Sequence, residues 1–273
     1  MEMLLVNLLY FFIFVFGLII GSFLNVVIYR HNTGMTLGGR SMCFSCGKQL
    51  QWFELVPLFS FLFLRGKCSV CKSKISWQYP AVELATGLLF LGAYLTVSNV
   101  YLLAYLLLQL SLLVVISVYD FRHKIIPDTF SYAFAGLALV KVVVVFILNQ
   151  NFSALLYGVA AGLVCFLPFA ALWYFSKGKW MGFGDAKLAL GIGWFLGIKD
   201  APVAILLAFW IGALVGIAMI VYSHIEGFSR GQKKVTMKSE MPFGPFLILG
   251  LLIMIFLKPW VADFLSNFIF YSS

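Results

Sequence analysis

Long apolar runs recur along this chain and constrain its fold more than any other feature. The first covers roughly residues 4–28 and contains no acidic or basic side chain. A helix needs about 20 apolar residues to cross the hydrocarbon core of a bilayer. The runs therefore predict an all-α polytopic membrane protein with about eight transmembrane helices. The predicted helices cover roughly residues 3–27, 80–97, 100–119, 128–148, 154–175, 185–198, 202–222 and 241–260.

Composition excludes two other classes of protein. Hydrophobic residues form 63% of the chain and charged residues only 11%, a balance that soluble globular domains do not have. The net charge of +9 suggests nucleic acid at first, but the basic residues lie between the apolar runs, which indicates membrane orientation instead. We therefore expect membrane lipid, and no nucleic acid, around the protein. The first run is too long for a cleavable signal peptide, and no clear cleavage site follows it.

Lysine and arginine are concentrated in alternate loops. Residues 30–79, 120–127, 176–184 and 224–242 hold 15 of the 19 basic side chains. Cytosolic loops of membrane proteins carry an excess of lysine and arginine. The asymmetry therefore predicts that these four loops are cytosolic and that both termini are external.

Four cysteines form two matched pairs in the only long polar segment, residues 30–79. Cys43 and Cys46 form the first C-x2-C pair, and Cys68 and Cys71 form the second after 21 intervening residues. This spacing is typical of a tetrahedral zinc site with four cysteine ligands, and four thiolates leave no open position, so such a zinc is structural. Two disulfides or four unconnected thiols are the alternatives, and a reducing cytosol disfavours disulfides. Between the pairs, Glu54 is expected to be a solvated or capping acid, with a functional role as the alternative.

Two carboxylates adjoin apolar runs on the predicted cytosolic side. Asp185 follows Gly182 and Gly184, and glycine lets other groups approach the backbone closely. Asp120 ends an earlier run, where an anion meets the unfavourable end of the helix dipole. Ionisable groups at a membrane are costly and suggest function, and two neighbouring carboxyl groups can divide acid and base roles. Asp128 is explained instead as an N-cap or first-turn acid of the next helix.

Other polar side chains near the helix ends leave two interpretations open. Ser22 and Asn25 share one helical face and either join helices or contact a substrate. Glu83 either complements a helix dipole in the first turn of its helix or serves function. Lys187 pairs with a carboxylate or with lipid phosphate, and Lys141 snorkels or pairs with an acid.

These motifs, in this order, resemble the bacterial prepilin peptidases, also called type IV leader peptidases. The resemblance covers nearly the whole chain. One difference is visible in the first cysteine pair, where Phe44 stands after the first cysteine and many members of the family have proline. The motifs that carry the resemblance are Gly21-Ser-Phe-Leu-Asn-Val26, the paired C-x2-C segment, Tyr79-Pro-x-x-Glu83, Asp120 with Ile126-Pro-Asp128, Gly182-x-Gly-Asp-x-Lys187 and Pro242-Phe-Gly-Pro245.

The resemblance implies an intramembrane aspartyl protease of the G-x-G-D type in the bacterial inner membrane, with its catalytic face cytosolic. Asp120 and Asp185 are then the catalytic pair. The substrate is a prepilin or a pseudopilin, cut after a leader glycine, and the new amine is methylated with S-adenosylmethionine. The domains implied are a first transmembrane helix (1–29), a zinc-binding loop with the methyltransferase region (30–79) and a helical protease domain (80–273). The residues expected to bind substrate or support the site are Gly182, Gly184, Lys187, Asp128, Glu83, Ser22 and Asn25.

Two other functions explain part of the pattern. A proton-coupled carrier could use Asp120, Asp128, Asp185 and Lys141 as a relay. However, carriers usually contain internal repeats with broken helices, and no such repeat is visible. A membrane-anchored zinc module for protein interaction would explain the cysteines but would leave both aspartates without a role.

Overall fold

The computed structural model describes residues 2–230 and 241–261, and the side chains of residues 7–224 and 241–261. Within these ranges the chain is helical, and its only β pairing is two isolated bridges in the cysteine segment. The α-helices are α1 (Glu2–Arg30), α2 (Phe59–Phe63), α3 (Gln78–Thr96), α4 (Val100–His123), α5 (Asp128–Asn149), α6 (Phe152–Ser176), α7 (Phe183–Leu196), α8 (Ala201–Arg230) and α9 (Gly244–Phe256), with a 3-10 helix at Trp52–Leu55.

Five of these helices are long and apolar enough to cross a bilayer, namely α1, α4, α5, α6 and α8. The prediction of an all-α, multi-pass membrane protein is therefore confirmed. Helices α7 and α9 have only 14 and 13 residues. At a rise of 1.5 Å per residue each covers about 20 Å, less than the hydrocarbon core of about 30 Å. The count of eight transmembrane helices thus stays a prediction.

The chain divides into two compact units, Met1–Val118 and Tyr119–Ser273. In the first unit α1 packs along α3, and the cysteine segment joins the two helices. Buried apolar side chains form the contact, since Leu18 of α1 lies against Gly87 and Phe90 of α3 lies against Gly17. The segment between these helices contains the 3-10 helix and α2.

In the second unit α7 lies at the centre. It packs against α5, α6, α8 and α9, and its inward residues include Ala186, Leu188 and Ile192, all without solvent exposure. Small residues on α7 allow this close packing, because a methyl group at Gly193 would collide with the backbone of Ala161 in α6. The short central helix therefore carries its first turn, with Asp185, into the packed interior of the unit.

Several helix boundaries differ from those predicted. Helix α3 begins at Gln78, since proline is tolerated throughout the first turn, and Glu83 therefore lies in the second turn. The interpretation of Glu83 as a first-turn acid is wrong. Helix α4 continues past Asp120 to His123, and α8 continues to Arg230, although a loop was predicted from residue 224. The rest of that predicted basic loop, residues 231–240, lies outside the described residues.

Candidate active site

The two cysteine pairs form two turns of the same construction. In each, the N–H of the first cysteine donates to the carbonyl five residues later, Lys48 in one turn and Ser73 in the other, both at 2.9 Å. The residue after the second cysteine in each turn, Gly47 or Lys72, has positive φ. This backbone pattern directs both thiols of each pair towards one point.

The four sulfur atoms of Cys43, Cys46, Cys68 and Cys71 lie within 4.8 Å of one another. A tetrahedral zinc with Zn–S bonds of about 2.3 Å separates its ligands by about 3.8 Å. The distance between the sulfurs of Cys43 and Cys71 is 3.8 Å. Backbone N–H groups of Ser45 and Cys46 lower the pKa of the Cys43 thiol to about 6, whereas burial and the neighbouring thiols raise the pKa of Cys46 to about 11. The predicted cysteine cluster is therefore present, and its donors fit a metal ion.

Glu54 connects the two halves of the cysteine segment. Its buried carboxylate accepts hydrogen bonds from the Gln51 N–H, from the Lys48 ammonium at 2.7 Å and from the Ser69 hydroxyl at 2.6 Å. These bonds, led by the one from Gln51, lower the pKa of Glu54 to about 2. The capping interpretation of Glu54 is confirmed, and the solvated one is wrong.

An open cleft of about 720 Å³ lies on the same segment. Its volume is in the range of small-molecule sites. It combines a cationic group, Arg40, with the exposed indole of Trp52 and the amides of Gln49 and Gln51.

In the second unit, Asp120 is held by the start of α9. Its side chain is 4% exposed, and its Oδ2 accepts a hydrogen bond of 3.0 Å from the N–H of Gly244, the first residue of α9. A helix N-terminus provides unpaired N–H groups and a favourable dipole for a carboxylate. A Cβ atom at position 244 would lie 2.6 Å from this oxygen, so the contact requires glycine.

Asp185 lies in the first turn of α7 with 8% of its surface exposed. It interacts electrostatically with Asp120. Ile126 lies against the starts of both α7 and α9. A Cβ atom at Gly184 in α7 would lie 2.8 Å from the Ile126 Cβ, and a Cβ atom at Gly244 in α9 would lie 3.2 Å from the Ile126 Cδ1. Glycine at these two positions lets the starts of α7 and α9 approach Ile126. The structure thus brings together the two aspartates that the sequence singled out.

The start of α7 is also tied to the start of α5. The Lys187 ammonium donates to Asp128 Oδ1 at 2.6 Å and lies 5.0 Å from the centre of the Tyr132 ring. Asp128 is in the first turn of α5, but its side chain makes this ion pair and the N-cap position belongs to Pro127. Of the two partners proposed for Lys187, the structure contains the carboxylate. Lys141 has a different partner, since its ammonium donates to the Phe195 carbonyl at 2.8 Å and not to an acid.

The remaining predicted side chains, Ser22, Asn25 and Glu83, lie in the first unit, whereas both aspartates belong to the second. Asn25 donates to the Tyr79 carbonyl at 3.2 Å, and the Glu83 carboxylate receives hydrogen bonds from Leu58 and Ser22. The interpretation of Ser22 and Asn25 as residues that join helices is confirmed, since both contact α3, and contact of these residues with a substrate stays a prediction. Gly182 is the N-cap of α7, with ordinary backbone angles and no close neighbour that requires glycine.

Sequence reasoning did not identify the part that Gly244 and Ile126 play. Both residues lie in quoted motifs, but their function as spacers around Asp120 depends on helices far apart in the chain. The proline after Gly244 was the available signal, because proline favours the first turn of a helix and so predicts a free N–H at Gly244.

Two family models match the chain. Residues 15–97 match the bacterial peptidase A24 N-terminal domain, and residues 107–217 match the type IV leader peptidase family. No solved structure matches significantly.

Curated relatives named prepilin leader peptidase/N-methyltransferase match over most of the chain. The protein of Bacillus subtilis is 32% identical, with 87% of this chain and 90% of the relative aligned. That of Stutzerimonas stutzeri is 31% identical over 86% of each chain. That of Myxococcus xanthus is 37% identical over 79% of this chain, which spans 64% of the relative's length.

Proposed function

Because the chain belongs to the type IV leader peptidase family, we propose that it removes the leader peptide from prepilins or pseudopilins and methylates the new N-terminus. The observation that supports proteolysis most directly is the buried pair Asp120 and Asp185 at the converging starts of α7 and α9. A proton-coupled carrier receives no support from the comparisons. A zinc module for protein interaction gives this pair no role.

The two carboxyl groups supply the acid and the base of peptide hydrolysis. Burial and proximity make it costly for both to be ionised, so the pair shares a proton. The ionised carboxyl takes a proton from water as that water attacks the scissile carbonyl, and the protonated one donates to the carbonyl oxygen. The Gly244 N–H holds the Asp120 carboxyl in place for this chemistry.

The proposed location is the cytosolic edge of the bacterial inner membrane, with both termini external. Prepilin-like substrates combine a basic leader with an apolar helix. Carboxyl groups at helix ends suit the junction between these two parts, because the leader then stays in the cytosol while the helix stays in lipid.

Methyl transfer belongs to the cysteine segment, residues 30–79. Cys43, Cys46, Cys68 and Cys71 hold one structural zinc. The cleft on this segment would hold S-adenosylmethionine, which would supply the methyl group; the Arg40 guanidinium could pair with an anionic group and the exposed Trp52 indole could contact a cationic or aromatic one. The zinc would join the two cysteine turns, and the residues that line the cleft flank the first of these turns on both sides.

A mass measurement tests the whole proposal. The purified protein in detergent is mixed with a prepilin-like peptide and S-adenosylmethionine, and intact masses are followed over time. We expect loss of the leader mass and then a gain of one methyl group on the mature product. An unchanged peptide would contradict the peptidase assignment, and a cleaved product without added mass would contradict methyl transfer.

Removing the zinc should separate the two activities. Metal-binding free energy in such small units is folding free energy, so loss of zinc unfolds the segment. We expect about one zinc per chain in the native protein and none in the double variant Cys68→Ser, Cys71→Ser. That variant should lose binding of labelled S-adenosylmethionine in equilibrium dialysis, and methylation should fall much further than cleavage.

Replacement of Cys165 by serine is the matched control, because this buried cysteine lies in α6, which belongs to the other unit. It should keep its zinc and bind the cofactor. Zinc-free native protein would contradict the metal site. Equal loss of both activities in the double variant would show that the segment supports the whole fold or recruits the substrate.

A further inference from the structure

The first unit contains a cluster of polar groups, with Asn25 and Glu83 buried, that the proposed proteolysis does not use. It consists of Ser22 and Asn25 on α1, Tyr79 and Glu83 on α3, and the backbone N–H of Leu58, and we refer to it as the Glu83 cluster. Glu83 is 7% exposed and Asn25 is 1% exposed. Burying a carboxylate without a cation is costly. Within the described part of the chain, no lysine, arginine or histidine forms an ion pair with Glu83.

The side-chain oxygen of Asn25 receives no hydrogen bond among the described residues. The Nδ2 of Asn25 donates to the carbonyls of Gly21 at 3.3 Å and Tyr79 at 3.2 Å, and both are acceptors only, which fixes the orientation of the amide. Its Oδ1 is buried and has no hydrogen-bond partner among the described residues. A buried acceptor without a donor is costly and requires an explanation.

Leu58 is held in an unfavourable conformation to reach Glu83. Its φ is +60°, in the region that side chains other than those of glycine and asparagine rarely adopt. In this conformation its N–H donates to Glu83 Oε2 at 2.9 Å. Strain of this kind is concentrated at functional sites. The loop is therefore shaped to orient the carboxylate of Glu83.

The unused hydrogen-bonding capacity of the Glu83 cluster consists of acceptors. A carboxylate offers about four lone-pair sites, and the bonds from Leu58 and Ser22 occupy only part of them. Ser22 and Asn25 are three residues apart and share one face of α1. Tyr79 and Glu83 are four residues apart and share one face of α3. These two faces meet where α1 packs against α3. The fitting ligand is a cation with several N–H donors. A metal ion fits poorly, because hard cations take six or more oxygen ligands.

We propose that the Glu83 cluster binds the α-ammonium group of the mature substrate, the acceptor in methyl transfer. This inference rests on the proposed function. Glu83 neutralises the ammonium charge, and Asn25 Oδ1 accepts one of its N–H groups. Gly21 gives the two helices room, since a Cβ atom there would lie 2.8 Å from the Glu83 Cα.

The same carboxylate accounts for the proton that methylation releases. Only the neutral amine has the lone pair that forms the new N–C bond. Glu83 accepts a proton from the ammonium group, and the methyl–sulfur bond then breaks with its electron pair remaining on sulfur. The methylated amine carries the positive charge, and the proton on Glu83 passes to solvent.

Replacing Glu83 with glutamine tests the proposal. Glutamine keeps the size of the side chain and an acceptor for the Leu58 N–H but removes the charge. The substrate is a peptide that already begins with the mature free N-terminus, so no cleavage is needed. We expect Glu83→Gln to lower its methylation about 100-fold or more, the usual effect of losing a proton acceptor. Cleavage of the full prepilin should fall far less.

Binding provides a readout that does not depend on turnover. The wild type should bind the free-amine peptide at least about tenfold more tightly than the same peptide with an acetylated N-terminus, as a charge-assisted hydrogen bond implies. Glu83→Gln should remove this preference. Thr86→Val is the matched control, since the hydroxyl of Thr86 is buried on α3 and donates to Val82 within its own helix at 2.7 Å. It should keep the preference.

Two outcomes would overturn the inference. One is that the Glu83→Gln variant methylates the mature peptide at the wild-type rate and still binds the free-amine peptide more tightly than the acetylated one. The other is equal loss of cleavage and methylation in that variant, which would make Glu83 a purely structural link between the loop and α3. If the wild type does not cleave prepilin, the proposed function is contradicted instead. Cleavage is measured on the full prepilin and methylation on the mature peptide, so the two failures can be distinguished.

Discussion

Asp120→Asn and Asp185→Asn are each expected to abolish leader removal while the protein stays folded and inserted. Asparagine has the shape of aspartate and can still accept the hydrogen bond that Gly244 donates to position 120. It can neither take nor hold the shared proton, and each acid–base group contributes about 10²–10⁴ in rate. Because the two groups act as one unit, removing either should cost nearly as much as removing both.

The matched control is Asp128→Asn, eight residues after Asp120. The Asp128 side chain is 62% exposed and pairs with Lys187 at the surface, an interaction worth about 1 kcal/mol or less. Its replacement should therefore reduce cleavage far less than replacement of Asp120. The measurement is the initial rate of leader loss by intact mass, with thermal unfolding in detergent as the test of folding. Wild-type cleavage by Asp120→Asn or Asp185→Asn, or an essential Asp128 beside a dispensable Asp120, would contradict the pair.

The sequence predicted the helical class, the cysteine cluster and the two candidate aspartates, because each depends on a local signal. Apolar runs of about 20 residues identify membrane helices, since no polar partner is available in the bilayer. The spacing within and between the cysteine pairs limits where four thiols can meet, and their sulfurs do lie within 4.8 Å of one another. An acid beside an apolar run is conspicuous for the same energetic reason.

The partners of the polar side chains could not be predicted in this way. Glu83 forms its hydrogen bonds with Leu58 and Ser22, residues 25 and 61 positions away in the sequence. The hydropathy of α3 gives no sign of either partner. Lys187 had two possible partners, and only the packing of α7 against α5 distinguished Asp128 from lipid phosphate. Such contacts depend on tertiary packing, which has no local sequence signal.

Helix ends were predicted less well than helix interiors. Pro80 suggested the start of α3, but proline is tolerated anywhere in a first turn, where N–H groups have no helical partner. The helix begins at Gln78, and the displacement moved Glu83 from the first turn to the second. In the second turn, Glu83 is too far from the helix start for the helix dipole to explain a buried acid at this position, so its burial requires a different explanation.

The second large effect is expected at Gly244. A methyl group there would lie 2.6 Å from Asp120 Oδ2, so the carboxyl of Asp120 must move and lose its 3.0 Å hydrogen bond from the Gly244 N–H. Displacing a catalytic group by about 1 Å can reduce the rate about 100-fold. Gly244→Ala should therefore lower leader removal by about that factor. Alanine fits the backbone of the first helical position, so α9 should still form.

Gly136→Ala is the matched control for Gly244→Ala. Gly136 lies in α5, and a Cβ atom there has no neighbour within 4 Å. Its replacement should leave cleavage unchanged and stabilise the helix slightly. Methylation of a peptide that already has the mature N-terminus should be the same in both variants, because Gly244 and the cysteine segment belong to different units. If the Gly244→Ala variant cleaves within about twofold of the wild-type rate, the Asp120 carboxyl tolerates displacement. Such tolerance is incompatible with proton transfer from a fixed position.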